Sequence, residues 1–133
     1  MASPSWHDRR LDELMTQYGA VPPPWFEYPD THPYDIVWRM GDGESYIELF
    51  YTWWNLEKEV WVEVRRIEYF RRWPPPPRWL KHMIDCVWDI RHDTFEDEEL
   101  FNYKPYFART SELGFGSLDD YERDLAEFGQ EDA

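Results

Sequence analysis

The residues richest in chemistry sit between His82 and Asp93. His82, Cys86, Asp89 and Asp93 fall at i, i+4, i+7 and i+11, a spacing that puts four side chains on one face of a helix. Imidazole, thiolate and carboxylate are the donors that zinc takes. A structural zinc site draws on more Cys and His, in closely spaced pairs, and this chain has one cysteine and no such pair. The stretch therefore reads as a polar helix face with Cys86 as a small buried hydrophobe, and neither metal nor cofactor is expected. As a nucleophile Cys86 would have Asp85 and Asp89 beside it. Their charge raises a thiol pKa and opposes reactivity. A small enzyme using Cys86 and His82 is kept only as the alternative. Glycine-rich phosphate loops, G-x-S-x-G and H-E-x-x-H are all missing.

A second concentration lies in the corner "RRWPPPPRW". Residues 65–81 hold six basic side chains (Arg65, Arg66, Arg71, Arg72, Arg78, Lys81) and one acid, Glu68, with Trp73 and Trp79 interleaved. Arginines beside stacking rings suit single-stranded nucleic acid. The chain as a whole carries a net charge of −14, so long-range steering opposes that reading. Arg and Trp are equally the favoured anchors of protein interfaces, and the patch could also pair with the chain's own acidic part. Arg71, Arg72, Trp73, Arg78 and Trp79 are taken as one candidate partner-binding set. Exposure decides it: an exposed Trp73 or Trp79 puts the corner first, and two buried tryptophans favour the acidic part.

The acidity is unevenly placed. Residues 1–92 carry a net of −4 and residues 93–133 a net of −10. "DTFEDEEL" supplies Asp93, Glu96, Asp97, Glu98 and Glu99, and the last helical stretch supplies Asp119, Asp120, Glu122 and Asp124. Such a surface repels nucleic acid and steers in a basic partner. It also adds solubility, the plainer reading. Glu96, Asp97, Glu98, Glu99, Asp119 and Asp120 complete the candidate partner-binding residues.

The elements that position these groups follow from composition and punctuation. At 133 residues the chain is read as a single domain, able to bury roughly two thirds of its unfolded surface. Aromatic residues make up 20%, so the core is expected to be built from rings. One cysteine, no signal-peptide pattern and no long apolar run point to a cytoplasmic protein without membrane contact. The expected fold is α+β: an N-terminal helix, a three-stranded antiparallel β-meander, then two or three helices. Residues 1–19 read as a helix capped by Ser3 or Ser5 and stopped by Gly19. Residues 20–33, with five prolines, read as a connector laid across the surface with Trp25 and Phe26 plugged into the core. Residues 34–70 supply the meander, with a hairpin at Asp42-Gly43, a second turn at Asn55 and the alternating Val60, Val62 and Val64. Residues 71–92 are the proline corner and a helix from about Pro76 to Arg91, with the stripe Trp79, Leu80, Met83, Ile84, Val87 and Trp88. Residues 93–133 are acidic, with an irregular aromatic stretch. Their final helix has Ser117 as cap, Leu118, Tyr121, Leu125 and Phe128 as stripe, and Gly129 as stop. This order of elements is similar to that of ubiquitin-conjugating enzymes, but that family's short His-Pro-Asn signature is absent.

The functional expectation is a non-catalytic intracellular module that docks on a partner protein with a basic surface. It would act as an acidic inhibitor, immunity factor or adaptor, and the same acidity would suit a nucleic-acid mimic.

Overall fold

The computed structural model describes residues 5–131, with side chains to residue 127. Ser3, the last two residues and the Phe128 side chain lie outside the described residues. The described chain is helical throughout and contains no strand, so the α+β expectation is overturned. It divides into two compact units, Met1–Val62 and Glu63–Ala133. With no sheet, the likeness in element order to ubiquitin-conjugating enzymes falls away.

In the first unit, α1 (Trp6–Tyr18) opens with a capping box: the Ser5 hydroxyl accepts from the Asp8 amide, and the Asp8 carboxylate accepts from the Ser5 amide. Gly19 closes it at φ 72°, a left-handed turn that suits glycine. The chain then passes through the interior rather than over the surface. Val21, Pro22, Pro23, Pro24 and Trp25 are all buried, whereas Phe26 is exposed. Prolines make this tolerable, since they bring no N–H to satisfy. The Pro22 carbonyl accepts from the buried Tyr46 hydroxyl at 2.7 Å. The short α2 (Pro24–Glu27) and a 3-10 turn (Ile36–Arg39) lead into α3 (Gly41–Glu57).

Helix α3 and α4 (Glu63–Arg72) replace the expected meander. The reason lies in the period. Tyr46, Leu49, Phe50, Trp53 and Trp54 are buried together, at i, i+3, i+4, i+7 and i+8. Read with a period of two, that stripe splits into rings on both faces of a strand. Asp42-Gly43 is the first turn of α3, not a hairpin. A Cβ on Gly43 would stand 2.3 Å from the Val37 carbonyl oxygen, so glycine is there to let the 3-10 turn approach. Val60, Val62 and Val64 are exposed, around the connection into α4, and pair with nothing as a strand. Trp61 packs edge-on to Trp53 and Trp54, at 5.7 and 5.9 Å between ring centroids.

In the second unit α4 is followed by the prolines, a 3-10 turn (Pro77–Trp79), α5 (Leu80–Val87), α6 (Phe95–Leu100), α7 (Lys104–Glu112) and α8 (Leu118–Glu131). Leu80, Ile84 and Phe107 form a core onto which Trp88, Tyr103, Tyr106, Phe115 and Tyr121 close. The stretch expected to be irregular is largely α7. Helix α8 starts where Ser117 and Asp120 cap each other, and it continues through Gly129. Helix α5 is shorter than expected and gives out at Trp88, before Asp89 at φ 52°. The helical face shared by His82, Cys86, Asp89 and Asp93 therefore does not form. Only His82 and Cys86 lie on α5.

Candidate docking site

The two tryptophans of the proline corner are turned inward, while Arg71, Arg72, Pro74 and Pro77 are exposed. Trp73 is 9% exposed and Trp79 1%. The Arg72 guanidinium lies 4.1 Å from the centre of the Trp73 ring. Arg71 donates to the Leu113 carbonyl at 3.1 Å and stands over the Phe115 ring. Arg78 donates to both carboxylate oxygens of Asp124, at 3.1 and 2.9 Å. Arg71 and Arg78 are thus engaged by residues of α8 and its approach, Arg72 lies on the corner's own Trp73, and the rings are packing residues. With both tryptophans buried, preference passes to the acidic part.

The acidic residues do not form one uniform surface. Asp124 is taken up by Arg78, and Asp120 by its cap and by Arg123 at 3.0 Å. Bonds from Ser117 hold the Asp120 carboxyl below its ordinary range. Asp119 and Glu122 are exposed on α8. Helix α6 is different in kind. Thr94 caps it, its hydroxyl accepting from the Asp97 amide at 3.1 Å, and none of its residues is buried. Asp93, Glu96, Asp97 and Glu99 face solvent. Phe95, 84% exposed, and Leu100, 77% exposed, stand at either end of the acidic run 96–99. Leaving such side chains in water forgoes roughly 1.5–3 kcal/mol each. Glu98 is the acidic residue of α6 that turns inward, to pair with Lys81 of α5.

Beneath α6 lies a polar cluster. The Tyr103 hydroxyl donates to Asp85 Oδ1 at 2.8 Å, and His92 Nε2 lies 2.7 Å from the same hydroxyl. With Asp85 ionised, the phenol's one proton goes to it, and the tautomer of His92 that fits carries its hydrogen on Nε2, donated to the phenol oxygen. The Lys81 ammonium stands 4.9 Å from the centre of the Tyr103 ring. Burial raises the Asp85 pKa to about 6, against the opposing pull of Tyr103 and Lys81. Burial, and then the carboxylate of Asp85, push the Tyr103 phenol upward as well. Phe101 packs edge-on to Tyr103 and His92, at 4.8 and 5.1 Å.

Cys86 is buried in α5, and burial of the His82 ring lowers its pKa to about 4. Among the described residues no group of three His, Cys, Asp or Glu is placed to hold a metal ion. No helix of the described residues is long and apolar enough to cross a membrane. In the first unit an open groove of about 530 Å³ is lined by residues of α1 and α3, among them Leu11, Ile47, Tyr51, His7, Asp8 and Glu48.

Sequence reasoning named the acidic residues of α6 but missed Phe95, Leu100 and the Asp85–Tyr103–His92 cluster. The signal for the first two was present: two apolar residues bracket an acid run, with no helical stripe to join. No family model matches the chain, nor does any curated protein or solved structure.

Proposed function

We propose that this chain is a non-catalytic protein-binding module, an acidic inhibitor, immunity factor or adaptor, that docks through α6. The observation that carries this reading is a helix with no buried residue that shows Phe95 and Leu100 to solvent at the two ends of an acidic run. Single exposed apolar residues are ordinary, but a helix that buries nothing has no packing reason for its two large apolar side chains. The fitting partner has an apolar pocket edged by Lys or Arg. Charge speeds and orients the encounter, and the two side chains hold the complex. The corner's inward-turned tryptophans support this over the single-stranded nucleic-acid reading, because Trp73 and Trp79 lack open faces for bases.

The test is capture from the native cell with two variants. One reverses Glu96, Asp97 and Glu99 to Lys; the other carries Phe95→Ser with Leu100→Ser. Both should stay folded and lose the partner that the unaltered chain retains. Retention by both variants contradicts the reading.

A further inference from the structure

Helix α6 has an order that its own residues do not explain. It is 6 residues long, and isolated helices shorter than roughly 12–15 residues are marginal in water. It buries no side chain of its own. Apart from the Glu98–Lys81 pair, what holds it lies at its flanks. His92 precedes it and Tyr103 follows it, and their 2.7 Å contact joins the two ends of the excursion. Asp85 anchors that junction to α5 through the Tyr103 hydroxyl at 2.8 Å. Lys81, also on α5, reaches Glu98 of α6 and lies over the Tyr103 ring. Phe101 fills the space between His92, Tyr103 and Tyr106. The result is a compact loop with a closed base and a solvent-facing tip.

We propose that the Asp85–Tyr103–His92 chain is a clasp that holds α6 preformed for docking, with Tyr103 as the positioning residue. The proposal rests on α6 being the docking element. A loop ordered before encounter avoids the entropic cost of ordering on binding, so the clasp sets affinity without touching the partner. The phenol suits this role. It has one donor and accepts as well, so it can bond Asp85 and His92 together.

The experiment reads hydrogen exchange and binding on the whole protein. The reporter amides are Asp97, Glu98 and Phe101, which bond to Thr94 Oγ1, the Thr94 carbonyl and the Asp97 carbonyl. Tyr103→Phe keeps the ring and removes both bonds. It should leave α6 ordered only about a tenth of the time, bringing exchange at these amides close to that of an unstructured chain, while amides of α5 and α7 keep their protection. Asp85→Asn keeps an acceptor for the phenol, so the clasp stays closed and exchange at the reporter amides should be no faster than in the unaltered protein. The binding probe is an amphipathic peptide of leucine and lysine, whose affinity for Tyr103→Phe should fall by about tenfold. Unchanged exchange at the reporter amides overturns the clasp, as does an equal rise throughout the unit. Faster exchange with unchanged peptide affinity overturns its role in docking. The docking reading is judged separately by Phe95→Ser with Leu100→Ser. Lost peptide affinity with unaltered exchange supports it, and retained affinity refutes it while leaving the exchange result on the clasp standing.

Discussion

Arg78 grips Asp124 with two parallel bonds, Nε to one carboxylate oxygen at 3.1 Å and Nη2 to the other at 2.9 Å. Both side chains are largely buried, so the pair is a charge-assisted fork with little solvent screening. It ties the proline corner to α8 and takes a corner cation out of circulation. A double-mutant cycle between Arg78→Ala and Asp124→Ala should give a coupling of about 1–3 kcal/mol in chemical denaturation. Additive effects would show that the fork contributes nothing.

Gly43 distinguishes helix from hairpin. In a two-residue turn, alanine there would bring modest strain. In α3 its Cβ would meet the Val37 backbone at 2.3 Å, a contact that only a shift of the 3-10 turn can relieve. Gly43→Ala should therefore lower stability by about 3 kcal/mol, at the upper end of overpacking costs. Thermal unfolding measures it, and a loss under about 0.5 kcal/mol would contradict this packing.

Asp85 sets a pH dependence with a definite sign. Its folded pKa, about 6, lies above the ordinary aspartate value of 3.8, so the folded state prefers the protonated acid. The stability that this group contributes is complete below the unfolded pKa and is lost as pH rises through about 6. Asp85→Asn should accordingly stabilise the protein at pH 7, by on the order of 2 kcal/mol. At pH 4 its advantage should vanish. The check is the difference between the two unfolding curves across pH, which removes the opposite drift from carboxyls held low, such as Glu63 and Asp120. A difference that does not change with pH would contradict a raised Asp85.

Phe95 and Leu100 should be dispensable for folding. Both are exposed on a helix that buries nothing, so Phe95→Ser and Leu100→Ser should each change stability by less than about 0.5 kcal/mol. A large loss on thermal unfolding would mean that these side chains pack inward.

Parts of the fold were legible because local chemistry decided them. Ser5 and Gly19 bound α1, and Ser117 with Asp120 opens α8. The middle of the chain was not. Phe50, Trp53 and Trp54 are favoured in strands, yet they sit on a helical stripe, and tertiary packing outweighs a propensity of that size. Val60, Val62 and Val64 alternate as a strand would, but they find no neighbouring strand and stay exposed. The burial of Pro22 and Pro24 was hidden for a related reason: prolines signal surface connectors only where backbone donors would otherwise need water. At the candidate site, charge was readable and partnership was not. Nothing in the order of residues separates Glu98, paired with Lys81, from Glu99, exposed beside it. The Asp85–Tyr103–His92 chain joins three residues whose adjacency exists only in the folded unit.

The most direct measurement places a photo-crosslinking amino acid at position 95 in the native cell, with the same group at the exposed Gln17 as control. The expected result is a discrete adduct from position 95, absent at position 17 and lost when Glu96, Asp97 and Glu99 are reversed to Lys. Equal labelling at both positions, or an adduct indifferent to the reversal, would contradict docking through α6.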